Sequence, residues 1–128
     1  MVCLETTFLI DLLNGKMAAL AKAEELDSFG ERQTVTPIAA SELLFGAYLA
    51  GGDYLHDALS LLDNFTLLSF DLKACQEAGE IHSELRKRGE VLGTVDVLIA
   101  AICRRHRERL ITRDKAFAGV PGLPVETY

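Results

Sequence analysis

Short apolar runs alternate along this chain with longer segments in which apolar residues recur every three or four positions. The short runs predict β-strands at residues 2–5, 33–36, 66–70, 109–112 and 123–127. The longer segments predict helices at residues 8–13, 17–29, 37–50, 53–63, 72–88 and 94–106. Because strands that alternate with helices pair in parallel, the pattern predicts an α/β fold with a central parallel β-sheet.

Several predicted boundaries carry residues that start or stop a helix. Thr36 and Pro37 are preferred residue types for the N-cap and the first position of a helix, and Gly51 follows its last residue. Asp71 is the predicted N-cap of the longest helix. Residues 117–124 are rich in glycine and proline, which predicts a loop before the last strand.

The length and composition suit one globular domain, which we expect to span residues 1–128. Hydrophobic residues make up 49% of the chain, enough for a full core without disulfides or structural metals. The longest run without a charged residue, 43–52, is too short for a transmembrane helix, and the first residues lack the basic segment of a signal peptide. We therefore expect a cytoplasmic protein. Cys3, Cys75 and Cys103 have no metal-binding spacing and are predicted to be small core residues.

The charge of the chain is unevenly distributed. Its net charge of −6 argues against a uniformly basic nucleic-acid-binding module. Residues 86–115, however, contain nine basic residues and only four acidic ones. This stretch predicts either one basic surface or, more simply, helix ends at which cations interact favourably with the helix dipole.

Two carboxylates share a helix face with apolar residues. Glu42 is three and seven positions before Phe45 and Leu49, and Asp96 is three and seven positions before Ile99 and Cys103. A carboxylate on a buried face is costly unless it is paired, hydrogen-bonded or bound to a metal. Asp96 lies in the first turn of its helix, where an interaction with the helix dipole is an ordinary alternative explanation. For Glu42, a buried salt bridge or a place at the edge of the face is the alternative.

Two further acids follow predicted strands. Glu5 ends the first strand, and Asp114 comes just after the strand at residues 109–112. Ligands of open parallel sheets bind at the carboxyl ends of the strands, and the helices that carry Glu42 and Asp96 begin from the same edge. Four converging carboxylates repel one another unless a cation lies between them, and oxygen ligands suit Mg²⁺ or Mn²⁺. Taken singly, each acid at a strand end is better explained as a helix cap or turn residue.

Four segments resemble, in order, the four motifs of the PIN-domain family, and most closely the VapC-type toxin ribonucleases of toxin–antitoxin pairs. They are LETTFLIDLL at residues 4–13, T-x5-E-L-x2-G at 36–46, DVLIAA at 96–101 and LITRDKAF at 110–117. The resemblance implies a three-layer α/β/α fold around a parallel sheet. It also implies a homodimer and a small VapB-type antitoxin whose C-terminal segment enters an acidic groove.

The resemblance further implies an endoribonuclease that hydrolyses RNA phosphodiesters with water activated by Mg²⁺ or Mn²⁺. The implied site contains four acids and one polar neighbour, namely Glu5, Glu42, Asp96, Asp114 and Thr112. Glu5, Asp96 and Asp114 are the expected metal ligands, with Glu42 as a ligand or as the residue that orients water. Arg113 and the stretch 86–88 are candidate contacts to phosphate.

Two positions depart from the family pattern. The family usually has Asp at the first acidic position and commonly Asn two residues later, where this chain has Glu5 and Thr7. The longer glutamate side chain displaces the carboxylate by about 1 Å, which is enough to lower turnover. The alternative function is therefore a catalytically impaired PIN-like module that binds or regulates. A flavodoxin-like protein with incidental acids is the remaining alternative, and it requires all four motif matches to be coincidental.

Overall fold

The computed structural model describes residues 1–128 and is built on one five-stranded sheet. The strands are β1 (Val2–Leu4), β2 (Gln33–Val35), β3 (Thr66–Leu67), β4 (Arg109–Ile111) and β5 (Val125–Glu126). Their order in the sheet is β3-β2-β1-β4-β5, and every neighbouring pair is parallel. The predicted α/β fold with a central parallel sheet is therefore confirmed.

Six helices connect the strands. They are α1 (Thr6–Leu13), α2 (Met17–Ser28), α3 (Pro37–Ala50), α4 (Gly52–Leu62), α5 (Leu72–Lys87) and α6 (Thr94–Arg105). The chain moves outward from β1 to β3 through α1–α4 and returns through α5 and α6 to β4, on the other side of β1. Because such crossovers are right-handed, the two helix groups lie on opposite faces of the sheet, in three layers. None of the six helices has the length and hydrophobicity that a membrane span requires.

The reversal of strand order places a crevice at the carboxyl ends of β1 and β4. These two strands are neighbours in the sheet, and the amide of Glu5 donates to the carbonyl of Ile111 at 3.0 Å. Chain segments leave the two strands in different directions at this point, which opens the edge where α/β proteins bind ligands. Glu5 and Thr112 are the first residues beyond the two strands.

Most predicted boundaries match the structure within two residues. The hydroxyl of Thr36 accepts from the amide of Ala39 at 3.0 Å, and the carboxylate of Asp71 accepts from the amide of Ala74 at 2.9 Å, which confirms both predicted N-caps.

Two predicted elements differ from the structure. The strand predicted at 66–70 contains only Thr66–Leu67, because β3 is an edge strand paired on one side with the short β2. The loop predicted at 117–124 was wrong at its start, where a 3-10 helix spans Lys115–Gly119 after the capping residue Asp114.

Buried apolar side chains join the sheet to both helix layers in one continuous core. Cys3 and Cys103 lie within it as predicted, but Cys75 is exposed and the prediction for it was wrong. The core-facing stripe of α5 begins at Ala74 and continues through Ala78. Cys75 is one position after Ala74 and therefore points away from that stripe.

The predicted inner face of α3 was also wrong. Phe45, Tyr48 and Leu49 are 65–75% exposed, and Glu42 lies among them on the outside. The helix is apolar on most of its circumference, so hydrophobicity alone does not select the buried face. The buried face carries Ala39, Leu43 and Ala47, and the two alanines let the helix approach its neighbours closely.

Candidate active site

Glu5 has its carboxylate buried at the junction of β1 and α1. Its side chain is 3% exposed and its Oε2 atom caps α1 by accepting from the amide of Thr7 at 2.9 Å. The same oxygen accepts from two hydroxyls, that of Thr7 at 2.5 Å and that of Thr112 at 2.8 Å. Three donors on one oxygen hold this carboxylate in a single orientation.

The two threonine hydroxyls have defined donor and acceptor roles. Their oxygens are 3.3 Å apart, but each hydroxyl has only one proton and gives it to Glu5. As acceptors, the hydroxyl of Thr112 receives the amide of Asp114 at 3.0 Å, and that of Thr7 receives the amide of Arg113 at 3.4 Å. The end of β4 is thereby tied to the start of α1.

Glu42 and Asp114 are also held by nearby donors. The Oε1 atom of Glu42, on α3, accepts from the hydroxyl of Thr6 at 2.6 Å. The Oδ1 atom of Asp114 accepts from the amide of Ala116 at 2.9 Å and so caps the 3-10 helix. These bonds explain each acid locally. The bond from Thr6 also keeps Glu42 beside Glu5, and Asp114 stays near Glu5 because its amide donates to the hydroxyl of Thr112, which in turn donates to Glu5.

The pKa of Asp96 is affected by the charges of the other three acids. It lies in the first turn of α6, whose N-cap Gly93 has no side chain to cap the helix. Burial raises the pKa of Asp96 to about 6, together with the negative charges of Glu5, Asp114 and Glu42 in that order. Three carboxylates from three other chain segments therefore lie within electrostatic reach of Asp96.

The donor set fits a hard divalent cation, since it consists of carboxylate and hydroxyl oxygens without sulfur or imidazole. The side chains are not yet arranged as a closed ligand set: no three acidic, histidine or cysteine residues are grouped to hold a metal ion. Glu5, Glu42 and Asp114 each have one oxygen engaged by donors in the protein.

Arg113, predicted to contact phosphate, forms an ion pair with Asp11. Its Nε and Nη2 atoms donate to the two oxygens of Asp11 at 2.7 and 3.4 Å, while 55% of its side chain is exposed. The hydroxyl of Tyr128 donates to the same carboxylate at 2.6 Å. Two of the three guanidinium nitrogens are thus engaged by the protein.

The basic residues between 86 and 115 do not form one free surface. Five of the nine pair with acids, namely Arg88, Arg104, Arg105, Arg109 and Arg113. Of the others, Arg86 and Lys87 lie in the last turn of α5. The pairing of Asp71 with Arg105 shows that α5 and α6 run antiparallel, so α5 ends at the same edge of the sheet at which α6 begins.

Sequence reasoning missed four residues around the acids, namely Thr6, Thr7 as a donor, Asp11 and Tyr128. Asp11 had a signal, because it is the one charged residue in an apolar helix. Thr6 and Thr7 also had one, since they directly follow Glu5. Nothing in the sequence marks Tyr128.

Comparisons with known proteins show the family and the fold of this chain. The family model of the PIN domain matches residues 2–123. Ribonuclease VapC1 from Rickettsia felis is 28% identical over 133 residues, covering 97% of this chain and 93% of that protein. The tRNA(fMet)-specific endonuclease VapC from Salmonella typhimurium is 26% identical over 100 residues, 76% of each chain. Among solved structures, VapBC2 from Rickettsia felis bound to a promoter DNA fragment matches with a TM-score of 0.90 at 22% identity, covering 100% of this chain and 99% of that one.

Proposed function

The chain belongs to the PIN-domain family, in which its relatives are VapC-type nucleases, and we propose that it is a divalent-metal-dependent endoribonuclease. In this proposal it is the toxin of a VapBC-type toxin–antitoxin pair and hydrolyses RNA phosphodiesters with Mg²⁺, or alternatively Mn²⁺. The observation that carries the proposal is the set of hydrogen bonds that gathers three acids at the carboxyl ends of β1 and β4: Thr6 holds Glu42 beside Glu5, and Thr112 joins Glu5 to the amide of Asp114. Asp96 supports it, because burial raises its pKa and the charges of these three acids raise it further. A structural acid in a first helical turn has no need of such neighbours.

Glu5, Asp96 and Asp114 are the residues that would hold the cation. When bound, Mg²⁺ supplies Lewis acidity, which activates water for attack and offsets the charge that develops on the phosphate. Thr112 and Thr7 orient the carboxylate of Glu5 through its Oε2 atom, and Oε1 has no donor in the protein and would be the oxygen that binds the cation. Glu42, held by Thr6, is a further ligand or orients the attacking water.

The cations at this edge are suited to hold the RNA backbone. An acidic pocket repels a polyanion unless positive charge lies beside it. Arg113 supplies such a charge next to Asp114, through the part of its guanidinium that Asp11 does not engage. Arg86 and Lys87 supply two more at the end of α5.

Two protein partners belong to the proposal. The first is a VapB-type antitoxin, because the matching solved structures include VapBC complexes. The second is another copy of the chain, because Phe45, Tyr48 and Leu49 leave an apolar patch on α3 exposed. Light scattering on the purified chain tests the dimer directly.

The test is cleavage of RNA by the purified chain, free of any antitoxin, with Mg²⁺ or Mn²⁺ and with EDTA. We expect metal-dependent cleavage that falls at least about 100-fold in Asp96→Asn, because the proposed site loses the charge of one expected metal ligand. Asp53→Asn is the matched control: Asp53 is also an acid in the first turn of a helix without a side-chain cap, but it is exposed on α4.

A Glu5→Asp variant separates the active enzyme from the impaired binding module. If the wild-type chain is inactive and only Glu5→Asp cleaves, the chain is an impaired PIN module. Cleavage that survives Asp96→Asn would refute the proposed site.

A further inference from the structure

Asp11 is a buried carboxylate that the proposed chemistry does not use. It lies on α1 with 6% exposure, and its two oxygens receive the donors of Arg113 and Tyr128. Burial alone would raise its pKa, but the hydrogen bonds from Arg113 and Tyr128 hold the pKa below its usual value. Asp11 is therefore a charged group inside the protein that is paired on both oxygens.

The network is anchored in the core. The ring of Tyr128 packs edge-on against that of Phe8, with centroids 4.8 Å apart and an interplanar angle of 65°. Phe8 is completely buried on α1, three residues before Asp11. The hydroxyl of Tyr128 is thus presented to Asp11 by a ring in a fixed position.

What the network holds is the end of β4. Arg113 stands between Thr112, which donates to Glu5, and Asp114. At the start of α1, the hydroxyl of Thr7 accepts from the amide of Arg113, and the carboxylate of Glu5 accepts from the hydroxyl of Thr112. Further along the same helix, the carboxylate of Asp11 accepts from the guanidinium of Arg113. Two points of attachment on one rigid helix determine both the position and the direction of residues 112–114.

We propose that Asp11 is a positioning residue: by pairing with Arg113, it sets the distance between Asp114 and Glu5 at which both carboxylates bind one cation. This inference rests on the proposed function, because it concerns the same site. The groups that support metal ligands in proteins typically change metal affinity by about 10- to 100-fold when they are removed. Asp11 acts on two of the ligands through one segment of backbone.

The test measures Mn²⁺ affinity by calorimetry without RNA, and then kcat and KM for RNA cleavage. We expect Asp11→Asn to weaken Mn²⁺ binding about 10-fold and to lower kcat by a similar factor. Tyr128→Phe keeps the ring packing but removes one donor, so we expect a smaller loss in the same direction. Asp71→Asn is the control, since Asp71, the N-cap of α5, pairs with Arg105 in the same manner but at the opposite end of α6 from Asp96. We expect it to leave Mn²⁺ affinity unchanged.

The outcomes separate this inference from the proposed function. If the wild-type chain binds Mn²⁺ and cleaves RNA while Asp11→Asn and Tyr128→Phe retain full Mn²⁺ affinity, the inference is overturned and the proposed function stands. A lower KM at unchanged Mn²⁺ affinity would show that Asp11 only masks Arg113 from RNA, which also overturns it. A wild-type chain that neither binds Mn²⁺ nor cleaves RNA overturns both.

Discussion

Replacing Thr112 by valine removes one hydroxyl that serves two of the four acids. The side chain is completely buried; its hydroxyl donates to Glu5 at 2.8 Å and accepts from the amide of Asp114 at 3.0 Å. Valine has nearly the same shape, so the change removes hydrogen bonds and leaves no cavity. The bond to Glu5 is a long-range contact and the bond from Asp114 lies in the loop after β4. Neither bond is part of a helix, so the substitution removes no hydrogen bond within a helix.

The expected change in the free energy of unfolding follows from the loss of these two hydrogen bonds. A hydrogen bond to a charged carboxylate contributes about 1.5–3 kcal/mol, and an amide left without its partner costs about 1 kcal/mol where water still reaches it. The methyl group that replaces the hydroxyl stabilises the folded state by about 0.8 kcal/mol, because it is buried. We therefore expect Thr112→Val to lower the free energy of unfolding by about 2–3 kcal/mol.

Thr34→Val is the matched control. Thr34 is also a completely buried threonine of the sheet region, but its hydroxyl donates only to the neutral carbonyl of Val2, at 3.0 Å. Loss of that bond costs about 1 kcal/mol, which the buried methyl group nearly offsets. Urea denaturation at pH 7 without divalent cations measures both variants. Equal losses in the two variants would refute the role given to Thr112 in holding Glu5.

The remaining predictions concern pH. The raised pKa of Asp96 stabilises the metal-free protein below about pH 4, and this contribution is lost as the pH rises through about 6. A shift of this size corresponds to about 3 kcal/mol, and solvent screening at the partly exposed Asp96 reduces it. We therefore expect Asp96→Asn to be more stable than wild type by roughly 1–2 kcal/mol at pH 7.5 in EDTA, with the difference vanishing near pH 4 in urea titrations. Glu108 is 1% exposed, has a buried oxygen without a hydrogen-bond partner, and has its pKa raised by burial. We expect Glu108→Met to increase the midpoint of thermal unfolding at pH 8 and to lose this advantage as the pH falls; a lower midpoint at pH 8 would contradict the account.

Local sequence signals were sufficient for the elements of the fold. Periodicity predicted the six helices and five strands, because each element carries its own repeat of apolar residues. Thr36 and Asp71 were recognised as N-caps because a cap bonds to amides two or three residues away. The alternation of strands and helices predicted the parallel sheet, because a helix between two strands returns the chain to the same edge of the sheet. The edge strand at Thr66–Leu67 was overestimated because its length depends on its partner β2.

The sequence alone determined which acids to consider, since Glu5 and Asp114 follow strands and Asp96 begins an apolar helix. Only the tertiary structure decided what each acid touches. Thr112 reaches Glu5 and Arg113 reaches Asp11 across more than a hundred residues of chain, and local spacing contains no information about such contacts. The outward face of α3 was decided in the same way. Its apolar residues extend around most of the helix, and packing of Ala39 and Ala47 against the rest of the core selects the side that is buried.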